Sequence, residues 1–402
     1  MNAAARPAGP GAGWGDLAAE LDALAKSGLR RILREAEGPS QAECTLDGSP
    51  YVNFGSNNYL GLAAHPDLVA AAQDAAAAGG TGTGASRLLT GNQPGYRRLE
   101  AALADWKGTE AAVVFSSGFA AAIGTIPALV GGGDAVLCDR LAHASLVDGA
   151  RLSRARLLVY PHADPKALGR ILAKQRPRYR RALIVTDGLF SMDGDIAPLP
   201  DLLAVAERHD SRLLVDDAHA TGVLGHGGAG TLEHFALGPS DRIVQMGTLS
   251  KALGSVGGFI AGPRVLRDWL VNRARTLVFS TGLPASCLAA ALAGVELARR
   301  HAWRRARLRE LSVRVRAGAR AAGLNVADGD TPVIPVVLGD QVRTMRWMDA
   351  LLGRGLYVPG VRPPTVPAGE SRLRISLMAT HTDDHVQRLV QALSDLSRRE
   401  PA

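Results

Sequence analysis

Residues 248–254 read Thr248-Leu249-Ser250-Lys251-Ala252-Leu253-Gly254, and Gly257-Gly258 follow shortly after. Lys251 lies among small residues, behind an apolar run at 242–246 that is typical of a strand. A lysine in a tight, partly dry loop has a lowered pKa, and its neutral amine can form a Schiff base. The hydroxyls of Thr248 and Ser250 can hold a phosphate beside it. The segment is therefore suited to binding pyridoxal phosphate (PLP), although a segment of this kind is by itself more often an ordinary surface loop.

Apolar runs that predict strands alternate with helical patterns on both sides of this segment. The predicted strands are residues 111–115, 135–138, 157–160, 181–186, 212–216, 242–246 and 258–261. Such alternation predicts an α/β fold with a mainly parallel sheet covered by helices on both faces. Sheets of this kind bind ligands at the carboxyl ends of their strands, which is where the polar clusters of this chain fall.

Asp216 ends one of these strands, and His219 follows three residues later. A buried carboxylate needs a cationic partner, and the pyridinium nitrogen of PLP is such a partner. His219 can form a hydrogen bond with the phenolic oxygen of the same cofactor. Alone, each residue is also typical of a helix cap or of a core histidine. Together with Lys251, the two favour a cofactor site.

The phosphate end of the cofactor is predicted at Gly118 and Phe119, where the strand at 111–115 runs into a helix. Free N–H groups and the helix dipole attract an anion there. Thr248 is the third residue predicted to contact the phosphate.

Three more residues complete the predicted site. His143 can stack on the cofactor ring, and Ser191 can contact the cofactor. Arg374, in a late strand, is placed to bind a substrate carboxylate bidentately, although a structural salt bridge is an open alternative.

Four segments are predicted along the chain. Residues 1–15 are rich in Ala, Gly and Pro and predict a disordered lead. Residues 16–55 predict a helix at 16–33, with leucines along one face, and a hairpin that turns at Asp47-Gly48. Residues 56–290 form the large PLP-binding domain, and residues 291–402 form a smaller C-terminal α/β domain that begins with a long helix reaching about residue 320. A glycine-rich loop at 79–87, ending on Arg87, predicts either a binding loop or a linker.

The net charge of the chain is +8, and arginines are clustered. Residues 291–320 hold nine arginines against Glu296 and Glu310, and residues 170–181 hold another basic run. These clusters are either solvated helix faces or a docking surface for an acidic carrier protein or a coenzyme A phosphate. Aromatic residues make up only 4% and do not interleave with the charges, which argues against nucleic acid as a partner.

Other classes of function have little support. No apolar run approaches the roughly 18–20 residues of a membrane span. The three cysteines are far apart, which predicts a reducing, cytoplasmic environment and no metal site. His381 and His385 have a metal-like spacing, but the polar residues between them predict a helix-capping turn instead.

Five motifs in this order resemble the α-oxoamine synthases, PLP enzymes of the aspartate aminotransferase fold (fold type I). They begin at Asn57, Ser86, His143, Asp216 and Thr248 and read Asn57-Asn58-Tyr59-Leu60-Gly61-Leu62, Ser86-Arg87-Leu88-Leu89-Thr90-Gly91, His143-Ala144-Ser145-Leu146-Val147-Asp148-Gly149, Asp216-Asp217-Ala218-His219 and Thr248-Leu249-Ser250-Lys251-Ala252-Leu253-Gly254. The resemblance covers about residues 20–395. It implies a homodimer with the active site at its interface, where Thr281 and the 80–87 loop serve the neighbouring subunit.

The resemblance also implies roles for single residues. Lys251 is implied as the Schiff-base lysine, Asp216 as the pyridinium partner and His143 as the stacking residue, all three being catalytic. The other implied cofactor contacts are Gly118, Phe119, Ser191, His219 and Thr248. The implied substrate contacts are Arg30, Asn57, His143, Thr365 and Arg374. Asp217 and Ala220 depart from the usual Glu and Gly of the family, but neither is expected to touch the reacting atoms.

The tail from Val361 to Pro367, followed by Ser371 to Leu377, is similar to the biotin-pathway branch of the family. This similarity implies decarboxylative condensation of L-alanine with a pimeloyl thioester, carried by coenzyme A or by an acyl-carrier protein. Another branch, using glycine or serine with a different acyl-CoA, is an alternative. A PLP- or nucleic-acid-binding protein with a degenerate site is a second alternative, against which the intact set of lysine, aspartate and histidine argues.

Overall fold

The computed structural model describes residues 14–238 and 240–400. The predicted disordered lead at 1–15 lies outside the described residues except for Trp14 and Gly15, and Gly15 already begins the first helix. In the part of the chain that is described, no helix is both long and apolar enough to cross a bilayer.

The structure contains fourteen strands and fourteen helices in these described ranges. The strands are β1 (Ala36–Glu37), β2 (Glu43–Leu46), β3 (Ser49–Asn53), β4 (Ala111–Phe115), β5 (Ala135–Asp139), β6 (Arg156–Tyr160), β7 (Ala182–Asp187), β8 (Arg212–Asp216), β9 (Ile243–Thr248), β10 (Gly258–Gly262), β11 (Val333–Gly339), β12 (Leu356–Tyr357), β13 (Gly360–Val361) and β14 (Ser371–Ser376). The helices are α1 (Gly15–Lys26), α2 (Pro66–Gly79), α3 (Pro94–Trp106), α4 (Gly118–Leu129), α5 (Ala144–Leu152), α6 (Pro165–Gln175), α7 (Leu199–Arg208), α8 (Thr231–His234), α9 (Arg264–Arg273), α10 (Arg275–Val278), α11 (Ala285–Arg300), α12 (Ala302–Ala321), α13 (Gln341–Leu352) and α14 (Asp383–Arg399).

Seven strands form the central sheet, in the order β4-β10-β9-β8-β7-β5-β6. β9, β8, β7, β5 and β6 pair in parallel, and β10 is antiparallel to both of its neighbours, β4 and β9. β4 therefore runs in the same direction as the parallel strands, and the carboxyl ends of six strands meet at one edge. The predicted mainly parallel sheet is confirmed.

Both faces of this sheet are covered, which explains why its strands are apolar throughout. In β7, Leu183 and Val185 belong to an apolar cluster with α4 and α5, whereas Ile184 belongs to a cluster with α6 and α7. Successive side chains of a strand point to opposite faces, so a sheet covered on both sides needs apolar residues at every position. Each fully buried aliphatic side chain contributes about 1.5–3 kcal/mol.

The N-terminal segment departs in part from its prediction. α1 ends at Lys26, because Gly28 has a φ of 68° and ends the helix in a left-handed conformation. The leucines of its apolar face remain exposed, and Leu33 beyond it is 99% exposed. The hairpin is confirmed: β2 and β3 are antiparallel and turn at Asp47-Gly48.

The C-terminal part forms a second sheet, in the order β11-β14-β13. The prediction of one long helix up to about residue 320 is wrong, because the chain breaks at His301, whose φ of −98° and ψ of 61° are not helical. α13 has no counterpart among the predicted elements. The predicted domain boundary at 291 lies within α11, and the division into domains stays a prediction.

Candidate active site

The carboxyl edge of the central sheet gathers the polar clusters that follow the strands. β5, β7 and β8 end on Asp139, Asp187 and Asp216, and β9 ends on Thr248. Asp187 and Asp216 are direct partners in the parallel ladder. The side chains that the sequence separates by tens of residues therefore face one ligand-binding edge.

Asp216 and Lys251 form the charged centre of this edge. Asp216 is buried, and its Oδ1 accepts a hydrogen bond from the Ala218 N–H at 2.9 Å. Burial raises the pKa of Asp216, and the neighbouring Lys251 amine opposes that rise. Burial lowers the pKa of Lys251 against the opposing attraction of Asp216, and among the described residues no hydrogen bond engages the amine. Such an amine is suited to act as a nucleophile and as a base.

A buried chain of hydrogen bonds connects His219 to Arg374. His219 Nδ1 lies 2.6 Å from the Tyr59 hydroxyl, which lies 3.2 Å from Asn57 Oδ1. The Arg374 guanidinium donates to Asn57 Oδ1 at 3.1 Å and to the Ser191 carbonyl at 2.5 Å. Burial lowers the pKa of His219 well below its ordinary value, so its ring is neutral at pH 7. The network brings together four predicted site residues through Tyr59.

His143 lies on the Asp187 side of the same group. Its backbone N–H donates to Asp187 Oδ2 at 2.8 Å, and its ring Nδ1 lies 2.8 Å from Ser145 Oγ. Loss of water around the ring lowers the pKa of His143, while Asp216 opposes this effect and Lys251 adds to it. His143 is thus close enough to both charged residues to share their electrostatic environment.

The amino terminus of α4 lies against Thr248. A Cβ placed on Gly118 would lie 3.4 Å from Thr248 Oγ1. Ser117 caps the helix by accepting the Ala120 N–H at 3.0 Å. In the described part of the chain, the N–H groups of Gly118 and Phe119 have no acceptor within the helix, as is usual for a first turn. Free N–H groups and the helix dipole make this a suitable place for a phosphate.

The loop at 188–196, which carries Ser191, is held by an ion-pair cluster. His162 Nδ1 lies 2.9 Å from Asp139 Oδ1, and its Nε2 lies 2.9 Å from Asp195 Oδ2. Burial disfavours the charged ring, but the hydrogen bonds that the ring donates to both carboxylates prevail and raise the pKa of His162 to about 10. The cationic ring therefore ties the Ser191 loop to the end of β5.

Arg30 and Thr365 lie on the surface, and no contact in the described residues joins them to the buried network. Thr365 Oγ1 accepts from the side chain of Arg31 at 3.4 Å, and the Arg30 carbonyl accepts from Arg362 at 3.1 Å. The structure thus brings the Arg31 side chain, not that of Arg30, to Thr365. Their roles as substrate contacts stay predictions.

Asp217 stands where the family usually has Glu, and it was not expected to touch the reacting atoms. In the structure its carboxylate contacts Lys107 and Thr231. Its Oδ2 lies 3.0 Å from Lys107 Nζ, with side chains that are 1% and 0% exposed, and Thr231 donates to its other oxygen at 2.5 Å. Ala220 is fully buried. Neither residue is part of the Lys251 environment.

We expect Lys107→Ala to destabilise the fold by about 3–5 kcal/mol, because it leaves the Asp217 carboxylate buried without a cation. The denaturant midpoint at constant PLP concentration measures this loss. Lys174→Ala, at an exposed position of α6, is the matched control and should change stability by at most about 0.5 kcal/mol. Equal midpoints for the two variants would contradict a structural role for the ion pair.

Arginines of helix α12 form hydrogen bonds and ion pairs with other residues of the same chain. Arg304 and Arg305 are buried and donate to the carbonyls of Leu60 and Ala298. Arg307 and Arg314 both pair with Asp383. These contacts disfavour α12 as a docking surface for an acidic partner.

Arg87, at the end of the glycine-rich loop, is likewise engaged by its own subunit. Its guanidinium donates to Glu100 at 2.6 Å and to the Val114 carbonyl at 2.9 Å. This arginine therefore anchors the loop to α3 and β4, and the loop does not present it as a free cation.

The His381–His385 segment caps a helix, as predicted. Thr382 is the N-cap of α14, and the His385 side chain completes a capping box with it. Within residues 14–238 and 240–400, no group of three or more His, Cys, Asp or Glu side chains could hold a metal ion.

Two residues of this edge were not singled out from the sequence. Tyr59 lies inside a quoted motif, but nothing local shows that its hydroxyl reaches His219, 160 positions away. Asp187 ends a buried strand, as Asp216 does, and the same reasoning about strand ends would have found it.

Comparison with known proteins supports a single family. The family model for aminotransferase class I and II matches residues 49–393. The 8-amino-7-oxononanoate synthase of Trichlorobacter lovleyi is 49% identical over 95% of this chain and 97% of its own. That of Anaeromyxobacter sp. is 50% identical over 96% and 97%.

Solved structures show the same fold. A serine palmitoyltransferase of Sphingomonas wittichii has a TM-score of 0.90 at 33% identity and covers 98% of this chain and 99% of its own. An 8-amino-7-oxononanoate synthase of Francisella tularensis has a TM-score of 0.75 at 27% identity, covering 88% and 99%. The predicted fold type I is thereby confirmed.

The donor set of this edge fits PLP. The Lys251 amine is available for attachment, the Asp216 carboxyl can face the pyridine nitrogen, and the α4 terminus offers N–H groups to the phosphate. PLP is the cofactor of this enzyme, as its relatives and its family show. The chain belongs to the aminotransferase class I and II family and, within it, is a PLP-dependent acyltransferase of the α-oxoamine synthase group.

Proposed function

We propose that this enzyme condenses L-alanine with a pimeloyl thioester, with loss of carbon dioxide, to give 8-amino-7-oxononanoate in biotin biosynthesis. The observation that carries the proposal is the Lys251 amine beside buried Asp216: its pKa is lowered, and none of the residues 14–238 and 240–400 forms a hydrogen bond with it. The substrate class is supported by the names of the relatives that are 47–50% identical to this chain.

PLP, when bound, supplies an electron sink for negative charge at the α-carbon of the amino acid. Lys251 would hold the cofactor covalently, and Asp216 would keep its ring nitrogen protonated. His143 and His219 would hold the ring and its phenolic oxygen, with Ser191 beside them. Gly118, Phe119 and Thr248 would hold the phosphate.

Lys251 is the general base of the proposed reaction. Its lowered pKa means that a larger fraction of the amine is neutral near pH 7 than for an exposed lysine. Nζ is free for this role once alanine has displaced it from the cofactor, and it would then accept the proton from the α-carbon of alanine. A new carbon–carbon bond would form between that carbon and the thioester carbonyl, while the C–S bond breaks and the thiolate leaves. The carboxylate would then depart as carbon dioxide, and the electron pair left on the α-carbon would take up the proton that Lys251 returns.

Arg374 is the proposed anchor for the substrate carboxylate. It is buried, and its three nitrogens already donate to Ser191, Ser376 and Asn57. These bonds fix the plane of the guanidinium, and its remaining N–H groups can receive a carboxylate without losing side-chain entropy.

We also propose that the enzyme is a homodimer with its active site at the interface. Leu89 and Phe279 are 76% and 71% exposed in the single chain. Ser86 and Thr281 pair in a β-bridge, so the glycine-rich loop and the 279–284 turn form one exposed unit. Large apolar side chains exposed on one such unit are typical of a protein interface.

The test is thiol release from pimeloyl-CoA with alanine, glycine or serine as the second substrate. We expect release with alanine alone, accompanied by carbon dioxide. If pimeloyl-CoA fails with every amino acid, a pimeloyl carrier-protein thioester is the next donor to test. Failure of both donors with alanine would contradict the proposal.

One alternative has a specific observation in its favour. The TM-score of 0.90 to a serine palmitoyltransferase favours serine with a longer acyl-CoA. Release with serine and a longer chain, but not with alanine and pimeloyl-CoA, would move the enzyme to that branch while leaving the roles of its residues unchanged.

A further inference from the structure

Asp187 is a second buried carboxyl in the proposed cofactor site, and none of the assigned roles uses it. It ends β7, directly beside Asp216 at the end of β8. Paired residues of adjacent parallel strands project to the same side of the sheet, so the two carboxyls lie side by side. Both residues are less than 5% exposed.

The charges around Asp187 leave it without a cation of its own. Asp139 is already balanced by His162, and the described ion pairs include none with Asp187. Lys251 is the cation that influences Asp187 and Asp216 alike. With Lys251 joined to the cofactor, the ring nitrogen would face Asp216, and Asp187 would have no positive partner.

Two buried carboxyls on paired positions of adjacent strands do not readily ionise together. Burial, reinforced by Asp216, raises the pKa of Asp187 well above its ordinary value. Among the described residues, the one hydrogen bond that its carboxyl group accepts comes from the His143 N–H, at 2.8 Å. This bond alone favours the carboxylate, but the carbonyl oxygen of a carboxylic acid also accepts it, and burial together with Asp216 outweighs its effect on the pKa of Asp187.

We propose that Asp187 is a neutral positioning residue, whose protonated carboxyl holds the His143 backbone beside Asp216 without adding a second negative charge. This inference rests on the proposed cofactor site. It assigns the single negative charge of the pair to Asp216, where the pyridine nitrogen needs it. It also attributes the orientation of the His143 ring to the hydrogen bond that the His143 N–H donates to Asp187 at the end of β7.

The protonation state of the Asp187 carboxyl can be measured on the PLP-saturated enzyme without any substrate. In the infrared difference spectrum of wild type minus Asp187→Asn at pH 7, we expect a protonated carboxylic acid C=O band. If the spectrum instead shows the loss of carboxylate bands, Asp187 is ionised and the proposal is wrong. Asp74→Asn, at an exposed position of α2, is the matched control and should remove carboxylate bands.

The positioning role predicts different results for two variants of Asp187. Asp187→Asn keeps a carbonyl acceptor for the His143 N–H and matches the neutral acid in charge. It should retain the visible circular dichroism of bound PLP and its pH titration. Asp187→Ala loses the acceptor and should weaken PLP binding about tenfold, the effect of removing one buried hydrogen bond. It should also reduce the dichroism of the cofactor band.

Two outcomes would overturn the positioning role. One is an Asp187→Ala enzyme with wild-type dichroism and PLP affinity. The other is an Asp187→Asn enzyme that is folded by far-ultraviolet dichroism yet has a displaced PLP titration. Because these readouts need no alanine or thioester, they hold even if the proposed condensation is refuted.

Discussion

Lys251→Ala is expected to lower kcat for thiol release by about 10⁴-fold, at the upper end of what a general base contributes. The variant loses both the nucleophile that attaches the cofactor and the base that accepts the alanine proton. Burial lowers the pKa of Lys251, so the variant loses an amine that is more often neutral near pH 7 than an exposed lysine. Steady-state thiol release with saturating PLP measures the effect.

The matched control for this variant is Lys174→Ala, which removes an exposed lysine of α6 and should leave kcat unchanged. The visible spectrum provides a second readout. Lys251→Ala should bind PLP only as the free aldehyde, which dialysis removes, whereas the control should stay yellow. Activity near that of the wild type would refute the assignment of Lys251.

Asp216→Ala is expected to lower kcat by about 10²- to 10³-fold, the usual cost of removing one group that stabilises charge in a transition state. Without the carboxylate, the pyridine nitrogen loses its counter-charge and its proton, and the ring becomes a weaker electron sink. Thiol release, together with the pH titration of the PLP absorbance, measures both consequences.

Asp74→Ala, in an exposed position of α2, is the control for Asp216→Ala and should behave as wild type. Asp216→Glu keeps the charge and should recover part of the lost activity, whereas Asp216→Asn should not. A loss of kcat smaller than about tenfold in Asp216→Ala would be below the usual cost of removing such a group. That result would contradict the role of Asp216 in the electron sink.

The central sheet was readily predicted, because its signal is local. Buried strands such as β4 and β8 are continuous apolar runs, and the observed bounds of both match the predicted ones. The residues that follow such strands reach the carboxyl edge by the geometry of parallel sheets. The same rule placed Asp216 and Thr248 at this edge.

Features that depend on distant neighbours were predicted poorly. The sequence does not show that α12 breaks away from α11 at His301 or that α1 leaves its leucines exposed. Arg30 and Arg31 are equivalent by pattern, and only the fold brings Arg31 to Thr365. In each case the outcome depends on which segment packs nearby, and that segment is remote along the chain.

The sequence by itself determined the parallel sheet and the placement of Asp216 and Thr248 at its carboxyl edge, because apolar periodicity and strand ends are properties of short segments. The tertiary structure decided which charged side chains are buried and which groups lie next to them. It buried Arg304 against Leu60, paired Lys107 with Asp217, and set Asp187 beside Asp216. Burial and the distance between charges determine the energy of an ionisable group, and both arise only when remote segments come together.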